Sequence, residues 1–365
     1  GLTPSRKLNE WHRIQNQEAR VVIGPRSAVF APVPNLGLII IDEEHDGSYK
    51  SGTTPRYHAR QVAMHRAVTG HFPLIMGSAT PSVEAWHGMQ SGSILRHTLS
   101  VRLSGGAMPK IGVINLNNFK TEGCISAPLE TEINRTLKNG KQTILFLNRR
   151  GLTHYFTCRT CGYEIKCKNC SVPLTYHKND NRLKCHYCGW WIQPPQSCPH
   201  CGSLEIGSSG FGTEFIEAET KAKFPSAKIL RLDTDVIASK KEELVEKLDE
   251  FRKGQYDILL GTQMVAKGLN FPKLQLVGVI LADTGLHMPD FRAGERTFSL
   301  ITQVAGRAGR YLPDVKVLVQ TYNPGQEPIS YAVASRTKEF YELELQIRQI
   351  LDFPPFCRLI RLVFR

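Results

Sequence analysis

Short apolar runs rich in β-branched residues recur along the chain and read as buried strands: Arg20–Ile23, Leu38–Ile41, Leu74–Met76, Thr143–Leu147, Lys228–Leu232, Ile258–Leu260, Val277–Leu281 and Val315–Gln320. Unbroken apolar runs, in place of a regular apolar–polar alternation, suit a parallel sheet covered on both faces. Helix-like stretches separate many of them, Lys240–Lys253 and Arg296–Ala305 most plainly. The pattern predicts an α/β fold, a doubly wound sheet with helices on both faces. Such sheets gather their ligands at the carboxyl ends of the strands. Polar residues stand there in this chain: Arg26 and Ser27 after the first run, Asp42 after the second, Ser78 and Thr80 after the third, Thr262 and Gln263 after Ile258–Leu260.

A chain of 365 residues is long enough for about two to three domains. We divide it into a first lobe (1–103), a linker (104–117) holding Ser104-Gly105-Gly106, a second lobe (118–157 and 203–322), a cysteine-rich insertion in that lobe (158–202), and the start of a C-terminal domain (323–365). The opening Gly1-Leu2-Thr3-Pro4-Ser5 is polar, unlike a signal peptide. The first residue is not Met, and the chain stops within a strand-like run, Leu359–Phe364, so a piece of a longer protein is expected. No apolar run reaches the roughly 18 residues of a membrane-spanning helix.

Eight of the ten cysteines form four Cys-x-x-Cys pairs: Cys158/Cys161, Cys167/Cys170, Cys185/Cys188 and Cys198/Cys201. Clustered pairs in a large α/β chain point to metal-bound thiolates in a reducing compartment rather than to disulfides. Eight thiolates suffice for two tetrahedral zinc sites. Gly162, Gly189 and Gly202 follow three of the pairs, where the turn around a metal favours positive φ. The stretch from Val172 to Lys184 reads as a hairpin with a polar turn at Lys178–Asn181. A hairpin there would set Cys167/Cys170 beside Cys185/Cys188 around one zinc, leaving Cys158/Cys161 and Cys198/Cys201 for the other. Sequential and cross-braced pairings, and a redox-active Cys-x-x-Cys, are the alternatives. Trp190 and Trp191 follow the third pair and could stack on bases, dock a partner, or cover the insertion's apolar side. Cys124 and Cys357 stand alone.

The formal charge is +13, and two zinc ions on eight thiolates would leave about +9. A polyanion such as nucleic acid is the expected partner. The apolar run at Leu38–Ile41 ends in Asp42-Glu43-Glu44-His45. Hydrolysis of Mg·ATP needs one acid to hold the magnesium and another to orient the attacking water; Asp42 suits the first role and Glu43 the second. Gly77-Ser78-Ala79-Thr80 supplies hydroxyls that could link this site to a DNA track. Downstream, Gln303-Val304-Ala305-Gly306-Arg307-Ala308-Gly309-Arg310 sets two arginines three residues apart, with small residues that allow close approach. Arg307 and Arg310 have the chemistry of arginine fingers for a γ-phosphate. In Gly261–Phe271, Thr262 suits a DNA phosphate, and Gln263 or Lys267 could report to the nucleotide.

Together these segments resemble superfamily 2 helicases. With Gly24–Phe30, Phe146-Leu147-Asn148-Arg149-Arg150-Gly151, Gly212-Thr213-Glu214 and the eight cysteines, the resemblance narrows to the PriA family of replication-restart helicases (primosomal protein N′). It implies two RecA-like lobes with a zinc-ribbon insertion in the second. It also implies an ATP- and Mg²⁺-dependent 3′→5′ DNA helicase in the cytoplasm that acts at stalled or abandoned forks and initiates primosome assembly for replication restart. Forked and single-stranded DNA, primosome proteins, single-strand binding protein and the replicative helicase loader are the implied partners. His45 and Gln303 would join the coupling of ATP to DNA, and Arg26 and Ser27 would touch DNA. The loop from Tyr49-Lys50 to Arg56-Tyr57-His58-Ala59-Arg60 matches an aromatic-rich segment that senses single-stranded DNA. Pro55 stands where relatives often carry Trp, leaving Tyr57 to stack and Arg56 to pair with phosphate. No Gly-x-x-x-x-Gly-Lys-[Ser/Thr] loop occurs in these residues. The resemblance sets it upstream, so this stretch alone is expected to hydrolyse ATP poorly. A motor fold kept only as a scaffold for zinc ribbons is the competing reading, and the intact Asp42, Glu43, Arg307 and Arg310 argue against it.

Overall fold

The computed structural model describes residues 3–99, 109–119, 123–147, 155–158, 163–169, 173–177, 180–185, 188–209, 213–232, 241–261, 271–286, 288, 290–307 and 315–360. Two compact units divide the chain, Gly1–Ile94 and Leu95–Arg365.

The first unit opens with α1 (Pro4–Gln15), whose proline has its φ preset for a first helical turn. Strands β1 (Ile39–Ile41) and β2 (Leu74–Met76) pair in parallel, Ile41 beside Met76. Between them runs α2 (Ala59–Gly70), which buries Ala59, Ala63 and Ala67. That four-residue spacing gives a narrow stripe of small side chains on one helix face. After β2, α3 (Val83–Gln90) starts at Ser82, whose hydroxyl accepts the Ala85 N–H at 3.1 Å. Arg20–Ile23, expected as a buried strand, is not one. No described strand pairs with it, and Val21 and Ile23 are 78% and 94% exposed. An apolar run becomes a strand only where a neighbour takes its backbone hydrogen bonds.

The second unit begins with β3 (Lys110–Asn115), α4 (Ala127–Lys138) and β4 (Gln142–Leu147). The chain then leaves to build β5 (Tyr155–Cys158), β6 (Thr175–His177), β7 (Arg182–Lys184), β8 (Trp191–Ile192) and β9 (Ile206–Ser209). It returns through α5 (Thr213–Lys223), β10 (Ile229–Leu232), α6 (Lys241–Lys253), β11 (Ile258–Gly261), β12 (Leu274–Ile280), α7 (Ala293–Arg307) and β13 (Lys316–Thr321). It ends on α8 (Glu327–Val333) and α9 (Thr337–Ile350). Six strands form an all-parallel sheet in the order β10-β11-β4-β12-β13-β3. Strand β3 is its edge, although Lys110–Asn115 falls within the stretch expected as linker. Only Ile114 of that strand is buried, and its short apolar run, Ile111–Ile114, is interrupted by Gly112 and ends at Asn115.

Strand β4 is buried at all six positions, as a strand covered on both faces must be. Leu145 and Leu147 meet Leu129 and Ile133 of α4 and Ile216 of α5 in one core. A side chain at Gly278 would come within 2.9 Å of Leu145 and 3.1 Å of Leu129, so glycine is what lets α4 lie this close to β12. A buried polar knot holds the entry to α4. Glu219 accepts the N–H groups of Cys124 and Ile125 at 2.8 and 3.0 Å, while Gln320 bridges the Cys124 carbonyl and the Ser126 N–H. Burial first, and then Glu219, hold the Cys124 thiol protonated, so this cysteine is structural. The second unit is thus an α/β architecture around a parallel sheet, with the cysteine-rich ribbon inserted between β4 and α5. Among the described residues no helix is long and apolar enough to cross a membrane.

Candidate nucleotide, DNA and zinc sites

In the first unit the acidic box turns off the end of β1 and folds onto the segment after β2. Gly77 donates its N–H to the Ile41 carbonyl at 2.8 Å, and Glu44 donates its own to the Gly77 carbonyl at 3.0 Å. Asp42 is exposed, and its Oδ1 accepts the Glu43 N–H at 3.0 Å. Glu43 takes φ +48°, a left-handed backbone unusual outside glycine and common at functional turns. His45 Nδ1 lies 2.7 Å from the Ser78 hydroxyl and 3.7 Å from Glu43 Oε2. Ser78 Oγ also accepts the Thr80 N–H at 3.0 Å, and Thr80 is fully buried. The geometry thus joins Glu43, His45, Ser78 and Thr80 in one chain of contacts beneath the exposed Asp42.

Glu44, Arg60 and Ser82 carry the next layer; sequence reasoning places Glu44 in the acidic box and Arg60 in the loop but misses Ser82 and the contacts that join the three. Glu44 accepts the Ser82 N–H and hydroxyl, and Arg60 Nη1 donates to Glu44 Oε2 at 2.7 Å and also to Ser82 Oγ. The two charged side chains are 2% and 12% exposed. Arg60 closes the predicted DNA-sensing loop, so a buried ion pair pins that loop to the acidic box and the cap of α3. Arg60→Ala strands the Glu44 carboxylate and is expected to destabilise the fold by about 3–5 kcal/mol, with urea unfolding as the measure. A change below about 1 kcal/mol would remove the pair from this role.

A cavity of about 590 Å³ opens beside Asp42, lined among others by Arg26, Ser27, Tyr49 and Tyr57. Arg26 donates to the Ser48 carbonyl at 2.9 Å, and Tyr57 meets Phe30 edge-on at a centroid distance of 4.8 Å. Ser27 and Arg56 are exposed. Tyr49 donates its hydroxyl to the Asp42 carbonyl at 2.6 Å. Burial, and then the negative charge of Asp42 and Asp46, push its pKa up, so it stays a donor.

In the second unit, Gln303 sits partly buried on α7, which ends at Arg307. The Arg307 side chain, Arg310, Thr262, Gln263 and Lys267 lie outside the described residues. The helix is held from behind. Phe298 stacks on Phe340 at 4.0 Å and 3°. Arg348, 1% exposed, donates to Glu295 at 2.7 Å and Glu344 at 3.0 Å. Residues after 322 therefore share a core with the helix that carries Gln303. Arg348→Ala leaves two carboxylates buried without their cation and is expected to cost about 3–5 kcal/mol. Chemical denaturation of the second unit would show it, and an unchanged midpoint would contradict it.

The ribbon is a five-stranded antiparallel sheet in the order β8-β7-β6-β5-β9. The thiols of Cys158, Cys198 and Cys201 form one cluster and those of Cys167, Cys185 and Cys188 another, all sulfurs in each lying within 4.8 Å. Cys161 and Cys170 fall outside the described residues. The sulfur separations Cys158–Cys201 and Cys167–Cys188 are 3.6 and 3.5 Å. That is far beyond a disulfide bond of about 2.05 Å. It is near the roughly 3.8 Å between sulfurs that each lie about 2.3 Å from one tetrahedral zinc. The turns match too. Gly189 and Gly202 have φ of 76° and 72° and donate back to Cys185 and Cys198. Zinc is the ion these residues fit, and the described cysteines nest, Cys158 with the Cys198/Cys201 pair and Cys167 with the Cys185/Cys188 pair.

Within the ribbon, burial pushes the Glu164 carboxyl up to about 7; Lys166 pulls it down and Asp283 adds to the rise. The folded chain keeps this proton longer than the unfolded chain does, so stability falls as pH rises from about 4.5 to about 7. Glu164→Gln cannot ionise. Its stability advantage over the parent is expected to widen by about 1–2 kcal/mol between roughly pH 5.5 and 8, measured by thermal melts. A gap independent of pH would contradict it.

The comparisons with known proteins agree with this architecture. Residues 167–191 match the PriA DNA helicase Cys-rich region (CRR) domain, and residues 211–312 match the helicase conserved C-terminal domain. The replication restart protein PriA of Treponema pallidum is 51% identical over 364 residues, covering 100% of this chain and 55% of its own length. That of Bacillus subtilis is 43% identical, covering 98% of this chain and 44% of its own. That of Borreliella burgdorferi is 39% identical, covering 97% and 53%. The chain spans about half the length of these curated relatives.

Proposed function

This chain belongs to the PriA family of replication-restart proteins, and on that premise we propose that it forms part of an ATP-dependent 3′→5′ DNA helicase that acts at stalled or abandoned replication forks and initiates primosome assembly. The observation that carries the reading is the acidic box at the end of β1, with its His45–Ser78 and Glu44–Ser82 contacts.

In this reading Asp42, exposed at the strand end, holds the magnesium of Mg·ATP, which neutralises phosphate charge when bound. Glu43 orients the attacking water and takes its proton. Arg307 and Arg310 stabilise the charge that develops on the γ-phosphate. Gln303, Gln263 and Lys267 report the nucleotide's state to the DNA side. His45 passes the box's position through Ser78 to Thr80, and Glu44 passes it through Arg60 to the loop over 49–60. Arg26, Ser27, Arg56, Tyr57 and Thr262 grip single-stranded DNA by phosphate contacts and stacking. The two zinc centres, held by Cys158, Cys161, Cys198 and Cys201 and by Cys167, Cys170, Cys185 and Cys188, brace the ribbon. Primosome proteins, single-strand binding protein and a helicase loader are the proposed partners, and the cytoplasm the proposed location.

Strand separation tests the reading. The whole protein should open a forked duplex with ATP and fail with a non-hydrolysable analogue. Equal opening with both would refute a motor.

A further inference from the structure

In an antiparallel ladder, directly paired residues project from the same face of the sheet. The register Tyr176↔Leu183 and Leu183↔Ile192 sets one face, which packs with Phe156, Ile165 and Leu174 into the ribbon's small core. The register Thr175↔Lys184, His177↔Arg182 and Lys184↔Trp191 sets the other. None of the described residues paired in that register is acidic, and three of them, Arg182, Lys184 and Trp191, are exposed. The two tryptophans therefore part company. Trp190 packs against the inner core, whereas Trp191 is 44% exposed with the Arg182 guanidinium 3.8 Å from its ring centroid.

We propose that this outer face is a single-stranded DNA contact in which Trp191 stacks on a base and Arg182 and Lys184 take the flanking phosphates. An exposed indole beside two cations fits the general chemistry of sequence-tolerant strand binding, a π platform next to positive charge. The attraction is local to the face. Two four-thiolate zinc centres carry about −4 together, which offsets the excess of Lys and Arg over Glu and Asp in residues 158–202. A duplex does not satisfy the indole, because its bases are already stacked on one another. An apolar protein partner does not fit either, since the neighbours of Trp191 on this face are Thr175, His177, Arg182 and Lys184. The inference goes beyond the motor reading and takes from it only the choice of DNA over RNA.

The test uses the zinc-loaded chain, without nucleotide, and a fluorescein-labelled oligothymidylate followed by anisotropy. Trp191→Ala is expected to weaken binding roughly 5- to 100-fold, and Trp191→Phe to retain most of it. Arg182→Ala should flatten the dependence of log affinity on log salt by about 0.7, one phosphate's worth. Wild-type affinity in Trp191→Ala, or an equal loss in Trp191→Phe, overturns the proposal. A second measurement is independent of how the variants fold. Photocrosslinking of the unaltered chain to an iodouridine oligonucleotide should label a peptide within residues 182–192. Labelling confined to other peptides overturns it, as does loss of a protein partner with strand binding intact. Because no ATP is present, failure of the motor reading would leave these outcomes unchanged.

Discussion

Cys185→Ser is expected to lose one of two zinc ions and to melt the ribbon while the parallel sheet of the second lobe stays folded. The Cys185 thiol is fully buried and belongs to the cluster with Cys167 and Cys188. Its backbone N–H donates to the Trp190 carbonyl at 2.7 Å, which holds the thiol within the metal-binding turn. The apolar part of the ribbon core is small: Phe156, Ile165, Leu174 and Leu183 are its buried members beside the cysteines. So few buried side chains leave the ribbon dependent on its metal, because zinc binding at a structural site of this kind is itself folding free energy. Metal analysis of the purified chain should find two zincs in the parent and one in Cys185→Ser. Limited proteolysis should then cut within residues 158–202 and spare the sheet of β4, β11 and β12. Two zincs in the variant would remove Cys185 from the ligand set.

Glu43→Gln in the whole protein is expected to lower the rate of ATP hydrolysis by about 10²- to 10⁴-fold while nucleotide still binds. Glutamine keeps the shape of the side chain and can occupy the same left-handed backbone position, but it cannot accept the proton of an attacking water. Asp42 and the phosphate contacts elsewhere are untouched, so affinity should hold. The contrast between binding and turnover separates a chemical role from a folding defect. Turnover within about twofold of the parent would take Glu43 out of the chemistry.

Much of the second lobe was legible because its central strands are unbroken apolar runs; Thr143–Leu147 and Ile258–Leu260 read as buried and are. Lys110–Asn115 was not, because an edge strand with one covered face carries a weaker pattern than the central strands. Arg20–Ile23 failed in the opposite direction, since apolar composition cannot say whether a pairing strand is present. The two sulfur clusters were legible from spacing and hairpin logic, which is local chemistry. The layer behind the acidic box was not. Arg60 and Ser82 reach Glu44 across 16 and 38 residues, and Arg348 reaches Glu295 across 53. Such partners are chosen by the tertiary fold, and neither periodicity nor motif spacing marks them. The different fates of Trp190 and Trp191 likewise follow from strand register alone.

We propose that Asp42, Glu43, Arg307 and Arg310 all serve the hydrolysis of one triphosphate in the whole protein. A double-mutant cycle on ATP hydrolysis by the whole protein with forked DNA tests it most directly, using Glu43→Gln, Arg307→Ala and the pair together. Groups that serve one transition state are strongly non-additive. Each single change is expected nearly to abolish turnover, with the double variant little worse than either. Full activity in Arg307→Ala, or losses that simply multiply in the double variant, would contradict it.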